Sequence, residues 1–478
     1  MIAKTNAQGI DDIVRFSYLT ETGTSRSLGV GGSLSALGAD FSVISNNPAG
    51  IGMFRGSELS FSPTFTFSGI DTRLINESQN IFESSSSRKF LMANFGMVFT
   101  SQPRNVSKFK TFNFGLGFNQ LVNFNERFTF SGQSKGSIVD RYQYLANTFG
   151  SGNFEAGMAI DAFALYDFND DGIFDSDIEL APNALISKSG VVETRGSINE
   201  FTIGFGANYD ERIILGATIG VPFAQFQSVK TYSEIDPGEG PDGNVEYFEN
   251  LELRDNLSTN GIGINLKLGA IFRVSQELRF GLAVHTPTSF NLEDSYRQNL
   301  EYTYLDNNQQ NTSSGQTPDG LFSYKIQNPW RAQLSAGYLF GKSGFLSAEA
   351  EFVDYSSARF RFEAFKDDER RANEEVMEVM TSVLNLRVGG EYAIKSLRLR
   401  GGVSYLPSFF ENDQNNILGI HGGFGYRFST FYIDAGYRFS TQNQRYLPYF
   451  VDFEGVEISV VQKNTQRHRM MITIGSRF

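Results

Sequence analysis

The chain has no cysteine among its 478 residues, which removes disulfides, thiolate metal sites and cysteine nucleophiles together. Histidine is nearly as scarce: His285, His421 and His468 stand far apart in sequence. No apolar run approaches the roughly 18 residues that a transmembrane helix requires, so a helical membrane protein is excluded. Basic residues are in the minority, 41 Lys and Arg against 53 Asp and Glu, and the net charge of -12 argues against a nucleic-acid groove, which needs a basic stripe to neutralise phosphates. There is no G-x-S-x-G elbow and no His close in sequence to a candidate nucleophile, so an enzyme is not expected.

What the chain does have is aromatic surface and glycine. Forty-six Phe, 20 Tyr and 48 Gly against a single Trp favour strands over helices. From residue 57 onward apolar residues recur at every second position, the strand period: Leu59, Phe61, Pro63, Phe65, Phe67, then Leu91 to Phe99, Phe112 to Phe118, Phe201 to Tyr209, and so on to Met470, Ile472, Ile474, Ser476, Phe478. Fourteen such segments can be read, and the spacers between them alternate short and long without exception. Tight connections include "YDER", "SQEL", "GKSG" and "AIKS". The long ones are read as residues 69–88, 125–196 (the longest), 225–260, 287–327, 356–382, 407–416 and 440–467. An even strand number with turns on one side and loops on the other is the pattern of a transmembrane β-barrel, whose strands hide half their hydrophobicity from a hydropathy scan. The fold class expected is therefore all-β, a fourteen-stranded antiparallel transmembrane barrel whose alternating Phe, Leu and Ile face lipid.

Residues 30–65, "VGGSLSALGADFSVISNNPAGIGMFRGSELSFSPTF", carry a resemblance. They resemble the N-terminal region of the FadL/TodX family of outer-membrane transporters for hydrophobic compounds: Gly31, Gly32, Ala36, Ala39 and Asp40 lead into Asn47, Pro48 and Ala49, then Met53 and the first strand. The strand number and the terminal Phe478 agree with that family. The resemblance implies a hatch inside the barrel, placed at residues 1–55, a barrel over 56–478, and a wall opening for lateral release. Residues 1–7 are expected to be the remainder of a signal peptide. Pro48 fixes its own backbone and biases Asn47 toward an extended geometry, and Gly50 is expected to supply a conformation that other residues resist, so Asn47, Pro48, Ala49 and Gly50 form the candidate hatch motif.

Other motifs weigh less. "YDFNDDGIFDSDIE", residues 166–179, offers Asp167, Asn169, Asp171, Asp175 and Asp177 at the alternate spacing of a Ca²⁺ loop, with Gly172 at the bend. Position 12 of that pattern is Ile178 instead of an acid, so a structural Ca²⁺ competes with a solvated acidic loop. "AGYLFGKS", Ala336 to Ser343, fits a relaxed phosphate loop, but a strand follows where a helix is needed, and it reads as a hairpin turn. Residues 367–383 have helical spacing and are expected to form a short extracellular helix on the rim.

Two functions follow from the family. One is passive uptake of hydrophobic compounds such as long-chain fatty acids, released sideways into outer-membrane lipid. The other is a barrel that does not transport but serves as a subunit of an outer-membrane secretion or assembly complex, as in the PorV-like relatives. A continuous apolar cavity with a wall gap favours the first, and a filled lumen with an exposed apolar patch favours the second. Both put the chain in the outer membrane of a Gram-negative bacterium.

Overall fold

The alternating segments pair into one antiparallel sheet that closes on itself. In the computed structural model, which describes residues 9–18, 23–75, 81–103, 107–238, 245–307, 309–411, 413, 415–451 and 458–478, nineteen strand segments are hydrogen-bonded in a single ring. The expected signal-peptide remainder at residues 1–7 lies outside the described residues. Five segments continue a preceding one across a short break, so fourteen staves surround the lumen. They are β1 (Glu58–Ile75), β2 (Phe82–Ser101), β3 (Phe109–Asn123 with Glu126–Ser134), β4 (Ile186–Tyr209), β5 (Ile213–Ile235) and β6 (Phe248–Arg273). Then follow β7 (Leu278–His285 with Ser289–Asp306), β8 (Gln309–Gln316, Gly320–Gln327 and Arg331–Leu339) and β9 (Gly344–Asp354 with Arg359–Phe362). The last five are β10 (Ser382–Ile394), β11 (Leu397–Leu406), β12 (Ile417–Arg427), β13 (Phe431–Tyr446) and β14 (Val460–Arg477). Pairing of β1 with β14, from Glu58↔Arg477 to Ile75↔Val460, completes the ring. Closure satisfies the staves' backbone within the sheet over most of the wall, the condition for crossing hydrocarbon.

The outward faces carry the apolar set that the alternation predicts. Phe65, Phe205, Ile264 and Phe424 are each more than half exposed, a surface that only acyl chains would tolerate. Inward neighbours on β1 are Ser60, Ser62, Thr64 and Thr66, all buried. The "AGYLFGKS" stretch is the β8–β9 hairpin turn, with Phe340 N donating to Gly344 O at 2.9 Å.

Most of the expected long loops are strand. Staves β4, β5 and β6 run 24, 23 and 26 residues, whereas a tilted strand crosses a bilayer in about 9–11. Residues 225–235 and 248–260 stay paired, Gln225↔Asn260 through Ile235↔Asn250, and residues 287–327 shrink to a tight hairpin where Asp306 pairs with Gln309. The boundaries read from the sequence therefore mark where the outer face leaves lipid. Beyond that level the outer face meets water instead of lipid while the inner face packs under the cap, so the outward apolar rhythm ends although the ladder does not.

The remaining residues of the longest connection build a cap over the extracellular mouth. Helix α3 (Ile138–Phe149) starts at a capping box, Ser137 N donating to Asp140 Oδ2 at 2.7 Å, and ends at Gly150 with φ +81°. Helix α4 (Phe154–Asp161) follows, capped by Asn153. Val139, Tyr142, Met158 and Ala159 of these helices pack on inward residues of the strand extensions, Phe128, Tyr232, Phe248 and Tyr302, forming a core outside the membrane. The expected rim helix also forms, at Lys366–Val379, anchored by buried Val376.

One pH effect follows from this cap. Burial, reinforced by the Glu234 carboxylate, raises the Asp140 carboxyl to about 6 against a backbone hydrogen bond that lowers it. The folded cap then holds a proton that the unfolded chain has lost, so cap stability is greatest below the unfolded pKa near 4 and declines as pH rises toward 6. Hydrogen exchange of residues 138–149, corrected for intrinsic rates, should show stronger protection at pH 4.5 than at pH 7, and Asp140→Asn should flatten the difference. Equal protection at both pH values in the parent protein would reject it.

Candidate functional site

The described part of the N-terminal region, residues 9–18 and 23–57, lies inside the barrel with little regular structure, so its backbone polar groups need partners from elsewhere. The wall supplies them. Asn328 Nδ2 donates to Phe16 O, Arg331 to Ser17 O, His421 Nδ1 to Leu28 O, Arg279 to Leu37 O, His285 Nε2 to Asn46 O, and Asn113 Nδ2 to Ile51 O, at distances of 2.5–3.1 Å. All three histidines of the chain are in view at this point: two are donors to the hatch, and His468 lies on β14 beside Tyr437.

The hatch also meets the wall backbone to backbone, through a belt of inward-facing glycines. A Cβ on Gly216 would stand 2.2 Å from Pro48 O; on Gly269, 2.0 Å from Asn47 Oδ1; on Gly389, 2.1 Å from Val30 O; on Gly436, 2.5 Å from Ser25 O. On the β2–β3 side the ring of Phe41 fills the space over Gly96 and Gly117, which are register partners. The plug is thus seated around the circumference of the wall. Sequence reading missed this belt, although its signal is visible: glycines recur at inward positions in "NFGLGF", "IGFGAN", "ILGATIG", "RVGGE" and "DAGYR".

The candidate motif sits in the middle of this seat. Asn47 is extended (φ -130°) and fully buried; its Oδ1 accepts from Ala49 N at 3.2 Å, and its Nδ2 donates to Ser35 O at 2.9 Å and Ala270 O at 3.4 Å. Pro48 opens a 3₁₀ turn, Pro48–Met53, and Ala49 packs with Ile214 and Ile271. Gly50 corrects the expectation placed on it. It keeps an ordinary negative φ, and what demands glycine is space, since a Cβ would meet Val43 Cγ2 at 2.7 Å and Gly38 Cα at 3.0 Å. The positive-φ positions of the described hatch are Gly23, Gly31, Gly32, Gly38 and Ala39 instead.

Two staves from the contact of Pro48 on β5, the wall comes apart. Staves β2 and β3 pair only from Ser101↔Phe112 to Asn94↔Asn119. Above that, β3 has a register irregularity at Gln120/Val122 and breaks at Phe124 and Asn125. Its upper segment steps inward, behind the β1–β2 hairpin. There Thr72 Oγ1 on β1 donates to Thr129 O at 2.5 Å, and Ser131 Oγ donates to Glu83 Oε1 at 2.8 Å. Residues 82–93 of β2 pair with β1 but have no ladder to β3. Lipid-facing Phe90 and Met92 stand beside the break, and Phe118, paired with Phe95 and grouped with Phe201 and Phe223, lies just below it.

A buried polar chain closes the floor of the break onto the hatch. Asn94 Nδ2 donates to Asn119, Asn119 Nδ2 to Ser45 Oγ at 2.9 Å, and Ser45 Oγ to Glu200 Oε2 at 3.4 Å. Glu200, wholly buried, is held by Lys267 Nζ at 2.5 and 2.7 Å and by Asn265 Nδ2 at 2.9 Å. Above the floor, helix α1 (Ile10–Ser17) places Ile13 and Phe16 against Leu121, Val122, Ile198 and Phe290, so this part of the lumen is filled. Higher still, between α1 and the cap, lies a cavity of about 500 Å³ lined by charged groups such as Asp11, Arg15, Lys230 and Asp255 alongside Tyr142, Leu257, Tyr296 and Phe450.

The candidate calcium residues lie on the cap, far in sequence from this site. Asp167 accepts from the backbone N–H of Asp171 and Gly172, Asp175 from that of Phe168, and Asp171 from that of Ile173, while Gly172 turns with φ +82°. Asp177 faces inward to the hydroxyls of Tyr166 and Tyr302 at 3.0 and 2.8 Å; burial raises its carboxyl and those hydrogen bonds draw it back down. Among the described residues no three acidic or histidine side chains gather closely enough to hold a metal ion. A Ser–His contact does exist, Ser404 Oγ to His421 Nε2 at 2.9 Å, but it is sealed beneath Leu28 with the other ring nitrogen on a backbone carbonyl.

Fourteen staves, an internal plug and a break in the wall define a hatch-bearing outer-membrane channel protein. A family model described as "Outer membrane protein transport protein (OMPP1/FadL/TodX)" matches residues 198–445, more than half of the chain, and the chain belongs to that family. It is a protein of the Gram-negative outer membrane. The fold is similar to that of a Pseudomonas aeruginosa FadL homologue, at 14% identity and TM-score 0.59, over 97% of this chain and 100% of that one. It is similar also to the Pseudomonas putida toluene transporter TodX, at 12% identity and TM-score 0.51, over 97% and 100% of the two chains. The Ralstonia pickettii toluene transporter TbuX matches at 13% identity and TM-score 0.51, over 96% and 99%. No curated protein sequence matches the chain.

Proposed function

We propose that this barrel is a passive channel for hydrophobic compounds, long-chain fatty acids among them, and that a ligand leaves sideways between β2 and β3. The observation that supports this reading is the break itself. It opens just above the ladder pairs Phe95↔Phe118 and Asn94↔Asn119, beside lipid-facing Phe90 and Met92, so an apolar solute moving from lumen to lipid there keeps its surface away from water. Two proteins whose solved structures have a similar fold are toluene transporters. No nucleotide-binding loop accompanies the barrel, so movement follows the gradient. Because Ile13 and Phe16 fill the lumen above the break, passage requires α1 to shift.

The test is to close the seam. The chain has no cysteine of its own, so Leu91→Cys with Val122→Cys, positions that would face each other if the Asn94↔Asn119 register continued, can be joined by a short bismaleimide. Joining should cut uptake of a labelled fatty acid by tenfold or more, while either single variant treated alike stays near the parent. Unchanged uptake after complete joining would reject lateral release.

Two observations favour the second reading, a subunit in an outer-membrane complex: Ile13 and Phe16 fill the lumen above the break, and Phe163, Phe168, Ile173 and Leu180 of the cap are all more than half exposed on a surface facing water. A barrel that copurifies with a stoichiometric partner, and whose uptake is negligible with or without the joined seam, would be that subunit. Calcium in the 167–177 loop is likewise a proposal, supported by spacing and by the bend at Gly172. Ca²⁺ should raise the melting temperature of the cap by several degrees and EDTA should reverse it; a melt indifferent to both would remove the ion.

A further inference from the structure

At the opposite end, below the hatch, lies a second cavity of about 350 Å³ that no step of the proposed transport route uses. We infer that it is an oxyanion site, built for a phosphate group carried by a lipid headgroup or free in the periplasm. Arg26 of the hatch and Arg398, Arg427 and Arg477 of the wall line it, with Glu391 as the one carboxylate among its lining residues and Ser429 and Thr430 completing the turn. The acids that orient these arginines stand mostly behind them. Asp434 accepts from Arg400 at 2.9 Å and Arg427 at 3.0 Å; Glu58 accepts from Arg477 at 2.9 Å and from Tyr432 at 2.6 Å. Glu391 accepts from Arg400 at 2.7 Å and Arg26 at 3.2 Å.

Five guanidiniums therefore share three carboxylates, with Arg400 sealed behind the cavity lining between Glu391 and Asp434. Counting Asp40, whose charge also acts on Arg26, cations still outnumber acids. Each guanidinium offers about five N–H donors in a planar fork that matches phosphate, so held arginines with spare donors around an open space form a receptor for an oxyanion. The neighbourhood points to lipid as one source. The cavity reaches the β12–β13 turn, where Phe428 and Phe431 stack at 4.1 Å and face outward at the bilayer edge, within reach of a phospholipid headgroup in the periplasmic leaflet.

The experiment uses the full chain in detergent and requires no transport. Native mass spectrometry follows retention of phosphatidylglycerol, with diacylglycerol as the phosphate-free counterpart and inorganic phosphate as competitor. Arg398→Gln with Arg477→Gln should lower phosphatidylglycerol retention about tenfold, and Arg55→Gln, on an exposed pair with Glu211, should leave it unchanged. Folding of each variant is checked by heat-modifiable gel mobility; if the double variant fails that check, Arg477→Gln alone, at the most exposed of the arginines, takes its place. Displacement of the lipid by inorganic phosphate, or stabilisation by phosphate without lipid retention, identifies the free anion as occupant of the same site. Equal retention by parent and folded variant, or equal retention of diacylglycerol, would overturn the proposal.

Discussion

Gly216→Leu should leave the fourteen staves paired and unseat the hatch. The ladder partners of Gly216, Gly206 on β4 and Gly269 on β6, bond through backbone and do not depend on its side chain. Its inward face has no room: the first added carbon would stand 2.2 Å from Pro48 O and 2.5 Å from Ala49 N, and both are backbone atoms fixed by the 3₁₀ turn. Overpacking of this kind costs about 1–3 kcal/mol where neighbours can yield, and here the element able to yield is the plug. The expected result is a barrel with normal heat-modifiable mobility, protease-sensitive bonds within residues 23–57, and conductance in planar bilayers well above the parent's. Gly401→Leu is the matched control, because a Cβ there meets nothing within 4 Å. A Gly216→Leu barrel that is as silent and as protease-resistant as the control would show that the seat is looser than its distances imply.

Lys267→Met should be the most damaging single change to stability. Lys267 and Glu200 are 7% and 0% exposed, and removing the ammonium leaves a carboxylate buried among Asn265, Ser45 and the wall. Breaking a buried pair costs about 3–5 kcal/mol, whereas replacing both partners is often near neutral. Glu200→Gln combined with Lys267→Met should accordingly recover most of the loss. Thermal unfolding read by gel mobility and circular dichroism measures both. If the double variant is as unstable as the single, the pair is not the unit that stabilises this floor. Because Ser45 belongs to the hatch and Asn119 to the end of the β2–β3 ladder, the single variant should also loosen the seam.

What the sequence made legible was whatever repeats. Period-two alternation located the lipid-facing part of every stave, since Phe, Leu and Ile there answer to one solvent. It could not locate the ends of β4, β5 and β6, because their outer halves meet water on one face and protein on the other, and Gln225, Asn260 and Lys230 carry no apolar rhythm. Asn47, Pro48 and Ala49 read as a junction from their place before β1; their contacts with Ser35, Ala270, Ile214 and Ile271 in the middle of the seat had no signal in the sequence. The reason for Gly50 was not legible either, since close approach to Val43 depends on residues brought together only by the fold. Nor could Glu200, Lys267 and Asn119 be read as a group: they come from three different staves and meet only when the sheet closes.

The inward step of β3 has a consequence for how these molecules behave toward one another. A closed barrel ordinarily presents no free strand margin, but the upper part of β2 is bonded on one side only, so residues 82–93 keep a margin against which a second chain could template itself. The sequence at that margin reads "FESSSSRKFLMA". Four consecutive serines followed by Arg88 and Lys89 are poor material for intermolecular sheet growth, and in a parallel in-register pairing the two cations would face their own copies at close range. The same few residues that leave a way out of the barrel thereby guard it against aggregation through that doorway.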